Sequence, residues 1–214
     1  MGKEVFRLAK GIALTGSIGA GKSTAAECLR KRGWTILESD SMARELVRPG
    51  EPANREIREE FGGGVFGPGD ELDRARLAEI VFKDEKKRRR LEGILHPRIR
   101  ACWLAEAARA EAAGKWVAVD VPLLYESGAE KHFQHVVVMA CSDRMQRSRL
   151  RERGWSKPEA ERRLKAQLPQ QEKMDRADHV IWNEFTKKNL EEQLQRILNT
   201  LEHPTAYAFP KENG

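Results

Sequence analysis

One stretch decides most of what this chain can become. Residues 12–24 read Ile-Ala-Leu-Thr-Gly-Ser-Ile-Gly-Ala-Gly-Lys-Ser-Thr. The apolar run at 12–14 has the character of a buried strand, and Ala25, Ala26, Cys28 and Leu29 follow at helical spacing. Between them stand Gly16, four residues, and Gly21-Lys22-Ser23. This is the G-x-x-x-x-G-K-[ST] pattern in the strand-then-helix setting that its mechanism requires. Glycines at 16, 19 and 21 let the backbone turn tightly, so that successive N–H groups face an anion. A helix opening near Lys22 adds the positive end of its dipole. Gly16, Gly19, Ala20, Gly21, Lys22, Ser23 and Thr24 are therefore the expected nucleotide contacts. Lys22 would reach the β- and γ-phosphates, and the Ser23 hydroxyl would hold Mg²⁺.

The rest of the composition narrows the class. A chain of 214 residues can build its own core without staples, as one domain with room for insertions. The three cysteines form no C-x-x-C pair and leave an odd thiol, which predicts a reducing cytoplasm. No apolar run approaches the length of a membrane span, no signal-peptide core is visible, and Phe6 stands where N-myristoylation would favour Ser or Thr. A soluble, cytoplasmic protein without a membrane partner is expected. The net charge of +6 could suggest nucleic acid, but residues 142–166 alone hold nine Arg or Lys against four Asp or Glu. A phosphate-rich small substrate accounts for that concentration, and no aromatic-interleaved basic motif argues for a nucleic-acid partner.

Along the chain, a helix should follow the glycine loop to about Arg32 and end at Gly33. A strand is expected at 34–37, with Glu38-Ser39-Asp40 at its carboxyl end, where open α/β sheets bind ligands. Asp40 thus reads either as a catalytic group or as the N-cap of the helix carrying Met42, Ala43 and Leu46. Residues 48–114 change character: a helical stretch to Phe61, a Gly/Pro loop over 62–69, and helical spacing over 72–82. The basic run 86–90 reads as a solvated helix face, and His96-Pro97 as the start of a long Ala-rich helix closed by Gly114.

Further strands are expected at 116–121, 135–141 and 177–183. Asp120 has the look of a Walker B carboxylate, a second candidate for Mg²⁺, or else is a polar residue on a strand edge. Ser142-Asp143 should cap a helix carrying Arg144, Arg147, Arg149, Arg151 and Arg153, and a turn between Gly154 and Pro158 leads to a second basic helix with Arg162, Arg163 and Gln167. Two basic helices over a phosphate site read as a mobile lid. A closing helix is expected at 190–201, with a frayed tail from His203. Strands separated by helices predict a five-stranded parallel α/β core. Residues 1–47 and 115–214 would form it, with a helical insertion at 48–114 and a lid at about 144–170.

Taken in order, these motifs resemble the dephospho-coenzyme A kinase family along nearly the whole chain. They are Leu14-Thr15-Gly16…Gly21-Lys22-Ser23-Thr24, Asp40 with Ala43-Arg44, Pro49-Gly50, Phe61-Gly62, Leu72-Asp73-Arg74, and Arg88-x-x-Leu91-Glu92-x-Ile94-x-His96-Pro97. Then come Pro122-Leu123-Leu124-x-Glu126, Gln146-x-x-Arg149-x-x-x-Arg153, Arg163-x-x-x-Gln167 and Ala177-Asp178-x-Val180-Ile181-x-Asn183. The family usually carries Asp-Ala-Asp where this chain has Glu38-Ser39-Asp40.

The resemblance implies a P-loop kinase core like that of nucleoside monophosphate kinases, a helical domain gripping dephospho-coenzyme A, and a lid. The reaction would move the ATP γ-phosphoryl to the ribose 3′-hydroxyl, the last step of coenzyme A synthesis, with Mg²⁺ and in a monomer. It further implies that Asp40 accepts or orients the hydroxyl proton, that Lys22 and Arg149 stabilise the transferring phosphoryl, and that Arg44, Arg88 and His96 contact the acceptor. Asn183 would lie near the adenine of ATP. His96 has an alternative as a cap for a helix starting at Pro97.

The nearest rival is another small-molecule P-loop kinase of the nucleoside monophosphate or shikimate type, which would differ in its acceptor. A GTPase switch would need D-x-x-G and N-K-x-D motifs, and neither occurs in the sequence. A nucleic-acid-binding ATPase would show salt-sensitive DNA binding.

Overall fold

The computed structural model describes residues 7–202; Met1-Gly2 and the tail from His203 lie outside that span. The chain divides into two compact units, one running up to Ile36 and resuming at Lys115, the other Leu37–Gly114. The division falls at residues 36/37, ahead of the expected 47/48.

The first unit is the α/β core. Strand β1 (Leu8–Gly16) leads through the glycine loop into α1 (Lys22–Lys31), and β2 (Thr35–Glu38) follows. The chain returns to this unit with β3 (Val117–Asp120), β4 (Phe133–Ala140) and β5 (His179–Trp182). The sheet order is β2-β3-β1-β4-β5, and β1 pairs in parallel with both β3 and β4, as β4 does with β5. The expected five-stranded parallel sheet is therefore present. Strand β1 is central, so Ile12, Ala13 and Leu14 are buried on both faces, which is why they read as a continuous apolar run. The order departs in opposite directions on either side of β1, which places the glycine loop at the switch point where such sheets bind ligands.

Two helices pack here on a common core. Helix α1 buries Ala25, Ala26, Cys28 and Leu29, and α9 (Lys187–Glu202) buries Leu190, Leu194, Ile197, Leu198 and Leu201 at i, i+4, i+7, i+8 and i+11. Trp34, expected in the second strand, instead precedes it and stacks on Trp116 with ring centroids 5.1 Å apart. Strand β5 is an edge strand, and Gln193 of α9 lies against it. The Gln193 Oε1 accepts from the Trp182 N–H (3.0 Å) while its Nε2 donates to the Trp182 carbonyl (3.0 Å). Helices α6 (Asp143–Glu152), α7 (Lys157–Lys165) and the short α8 (Gln170–Asp175) lie between β4 and β5. The first two are the expected basic pair; α8 has no counterpart in the sequence reading.

The second unit is helical apart from two short 3₁₀ turns and one antiparallel bridge between Phe66 and Leu72. Helices α2 (Ser39–Leu46), α3 (Pro52–Phe61), α4 (Arg74–Lys83) and α5 (Glu85–Ala112) enclose Val47, Ala53, Ile57, Val65, Phe66, Leu77 and Ile94. Helix α4 starts at an Asp73 cap, whose Oδ1 accepts from Ala75 and Arg76 N–H at 3.1 Å each.

Two expectations are overturned here. Helix α5 does not begin at Pro97: it starts at an Asp84 cap and runs unbroken for 28 residues with Pro97 inside. The Asp84 Oδ1 takes the Lys86 and Lys87 N–H groups at 2.9 and 3.1 Å. A proline ring normally clashes with the carbonyl four residues back. That residue is Gly93, and a Cβ there would meet nothing within 4 Å outside the helix's own neighbouring backbone. Arg98 Nη1 donates to the Ile94 carbonyl at 2.6 Å in the same turn. His96 is thus an interior helical residue, and its capping role falls. Asp40 is likewise no cap, because α2 has begun one residue earlier and Glu38 holds the N-cap position without a side-chain bond. Asp40 sits exposed in the first turn.

Candidate nucleotide and phosphoryl-transfer site

The loop after β1 closes on itself. Ala20 N–H donates to the Ser17 carbonyl (3.0 Å), and the Lys22 ammonium reaches back to the Gly16 carbonyl (3.0 Å). Two glycines are required by what surrounds them. Gly16 has φ +139, and a Cβ there would collide with the Met139 carbonyl of β4. Gly21 has φ +102 as the N-cap of α1, and a Cβ would strike the Asn183 amide nitrogen. The first turn of α1 carries no acidic residue and no side-chain cap. Its positive dipole end is therefore left for an anion. Ser23 is exposed in that turn.

Side chains from distant sequence hold the loop. Asn183, buried at the end of β5, donates through Nδ2 to the Ala20 carbonyl (2.8 Å), with its own N–H on Ala140 (2.7 Å). Arg149 of α6 donates to the Asn183 carbonyl (2.9 Å) and to those of Gly19 (3.3 Å) and Ala20 (3.4 Å). Its guanidinium is thus placed beside the loop. Gln146, one turn earlier, donates to the Ile18 carbonyl (2.7 Å), and the Gln167 Oε1 accepts the Ile18 N–H (3.1 Å).

The base of α6 is fixed as well. Ser142 Oγ caps it by accepting from Met145 (3.2 Å), and Glu184 takes both the Ser142 hydroxyl (2.6 Å) and N–H (2.8 Å). Those hydrogen bonds, the hydroxyl's first, hold the Glu184 carboxyl below the usual carboxylate range. Gln146 and Gln167 carry no assigned role in the sequence reading, although both stand in the quoted motifs; Glu184 had no signal at all.

Asp120 ends β3, opposite Leu14 of β1 in register and two residues short of Gly16. A serine hydroxyl and a carboxylate are the hard oxygen donors that Mg²⁺ takes, the remaining positions being water and phosphate. Among the described residues, no group of three or more His, Cys, Asp or Glu side chains gathers as a metal site.

The remaining residues singled out from the sequence lie in the helical unit. Arg44 is exposed on α2, and its carbonyl accepts from Arg74 Nη2 (3.5 Å). Burial first, and then the Arg44 charge, pull the Arg74 guanidinium below its ordinary value. Arg88 is the half-buried member of the basic run, near Glu85 (3.7 Å) and Glu92 (3.6 Å), whereas Lys86, Lys87, Arg89 and Arg90 are exposed as expected. His96 is half-buried on α5. Burial, with the Arg100 charge behind it, lowers its affinity for a proton, while Glu92 acts the other way.

His179 in β5 is lowered too, by burial and then by His135 at 5.8 Å between ring centroids, against Asp178. Both imidazoles are held neutral by the fold, so on acidification the unfolded chain takes up the protons first. Their contribution to stability is complete above the ordinary histidine value of 6.5 and is lost as the pH falls toward their folded values. Chemical denaturation between pH 7.5 and 5.5 should show stability declining below about 6.5, and His179→Gln should flatten that slope. An unchanged slope would remove His179 as its source.

The family model for dephospho-CoA kinase matches residues 11–189, which takes in the glycine loop, the helical unit, α6, α7 and Asn183. The chain belongs to the dephospho-CoA kinase family. A dephospho-CoA kinase of Geobacillus kaustophilus is 43% identical over 189 residues, covering 87% of this chain and 94% of that protein. One from Anaeromyxobacter dehalogenans is 45% identical over 192 residues, covering 89% and 91%. Among solved structures, the dephospho-CoA kinase from Campylobacter jejuni superposes with a TM-score of 0.67 at 25% identity, over 90% of this chain and 96% of that one. The protein TT1252 of Thermus thermophilus gives 0.79 at 34% identity, over 92% and 98%. No described helix is long and apolar enough to cross a membrane.

Proposed function

We propose that this chain carries out the family's reaction, transferring the γ-phosphoryl group of ATP to the ribose 3′-hydroxyl of dephospho-coenzyme A, as a cytoplasmic monomer. One observation carries the reading: an uncapped helix N-terminus and a glycine loop, with a lysine closing the loop and an arginine fixed against its outer carbonyls. Phosphoryl transfer needs positioning and charge neutralisation more than covalent chemistry. N–H groups of the loop and of the first turn of α1, other than those of Ala20 and Thr24 that donate to the Ser17 and Gly21 carbonyls, bind the phosphates. Lys22 exchanges its Gly16 carbonyl for phosphate oxygens, and Arg149, bonded to the loop's carbonyls, stabilises the transferring phosphoryl. Asp40 accepts or orients the acceptor hydroxyl's proton, and Arg44, Arg88 and His96 bind the acceptor, assignments that rest on the family motifs they match. Ser23 and Asp120 would hold Mg²⁺, which would supply charge neutralisation for the phosphates. Free cysteines, two of the three buried, suit a reducing compartment.

The test is ADP release, coupled to a reporter, with dephospho-coenzyme A, nucleoside monophosphates and shikimate offered in parallel. Turnover with dephospho-coenzyme A alone is the expected result, and preference for another acceptor would overturn the assignment. Within that assay Lys22→Ala should keep the melting temperature and lose about 10²–10³-fold in turnover, the scale for removing one preorganised electrostatic contact. Near-normal turnover would remove Lys22 from the machinery.

A further inference from the structure

Lys173 of α8 is the one charged residue among the large, fully buried side chains of the described chain, with 0% of its side chain exposed. Its ammonium lies 3.0 Å from the Glu126 Oε1 and 3.2 Å from the Pro122 carbonyl. Burying such a pair gives little net stability, because removing both charges from water offsets most of their attraction. An apolar pair of the same volume would serve the core as well. What the pair does is visible in where its other bonds go.

The Glu126 oxygen that meets Lys173 also accepts the Leu168 N–H (2.8 Å), where the chain leaves α7. The neighbouring residue is Gln167, whose Oε1 takes the Ile18 N–H in the glycine loop (3.1 Å). On the other side, the Pro122 carbonyl that meets Lys173 also accepts from Thr15 Oγ1 (3.4 Å), the residue before Gly16. One buried ammonium therefore stands at the centre of two routes, one reaching the loop at Ile18 through Leu168 and Gln167, the other the end of β1 at Thr15. Ile18 is the point in the loop where N–H and carbonyl are both taken by side chains from the α6–α7 segment and its exit, Gln146 holding the carbonyl.

We infer that Lys173 is a positioning residue for ATP: paired with Glu126, it fixes the exit of α7 so that Gln167 orients the Ile18 peptide and presets the loop. The inference rests on the ATP-site reading above. Its prediction is specific to the nucleotide, since none of these bonds involves a residue of the helical unit. ATP affinity depends on the pair, and affinity for the acceptor does not.

The test is calorimetric titration of the full chain with ATP, alongside steady-state KM values for each substrate. Lys173→Met with Glu126→Leu removes both charges together and leaves neither buried alone. Its ATP Kd and KM should rise about five- to tenfold, the effect of losing one orienting hydrogen bond, with the acceptor KM unchanged. Gln167→Ala, which leaves the buried pair intact, should reproduce the same rise without lowering the melting temperature. Combining it with the double variant should add little further. If the double variant fails to fold, Gln167→Ala decides alone. Unchanged ATP affinity in Gln167→Ala, an equal rise in both KM values, or fully multiplicative effects would each overturn the inference. An unmodified chain that binds no ATP would instead overturn the site reading itself.

Discussion

Arg149→Ala is expected to lower turnover by about 10³-fold or more, the scale for catalytic arginines in phosphoryl transfer. The structure sharpens the reason. Arg149 of α6 donates to the Gly19, Ala20 and Asn183 carbonyls, which sets its charge beside the loop proposed to hold the γ-phosphoryl. Arg151, two residues on, is exposed. Arg151→Ala should change turnover little, because a solvated surface charge is worth at most about 1 kcal/mol. The comparison separates a placed guanidinium from bulk positive charge. Single-turnover rates at saturating ATP check it, and equal losses at the two positions would mean that α6 acts through its net charge.

The second large effect is at Asp40. Asp40→Asn keeps size and shape but removes the proposed proton acceptor, so turnover should fall by about 10²–10⁴-fold. Stability should scarcely move. Asp40 makes no cap bond, and what it loses is an interaction with the α2 dipole worth about 0.3–1 kcal/mol. Melting curves and turnover measured on one preparation decide between the readings. A clear drop in melting temperature with full activity would show a structural residue.

How much was legible beforehand follows from the range of each signal. The glycine loop, all five strands and the Ser142 cap of α6 are written in neighbouring residues, through apolar runs, turn glycines and capping side chains. Helix α5 differs from its sequence expectation for a local reason too: a proline weighs heavily in a linear reading, whereas the Asp84 cap sets the real start. The start of α2 is obscured in the sequence because Ser39 and Asp40 are both good caps, and neither fills that position. Gln146, Gln167 and Glu184 are a different matter. Gln146 and Gln167 reach a partner more than a hundred residues away and Glu184 one 42 residues away, so no spacing rule could reveal them. The motifs contained the glutamines, but only coordinates give them work.

The Gln193 amide on the Trp182 backbone has a consequence for the molecule in a crowded solution. Strand β5 ends the sheet and turns partly exposed Val180 and Trp182 outward, with Phe185 just beyond at 71% exposure. A bare edge of that composition is a template for another chain's strand. With its N–H and carbonyl at Trp182 already answered by one glutamine, β5 offers a newcomer an interrupted ladder, so a single helix amide stands in for a sixth strand.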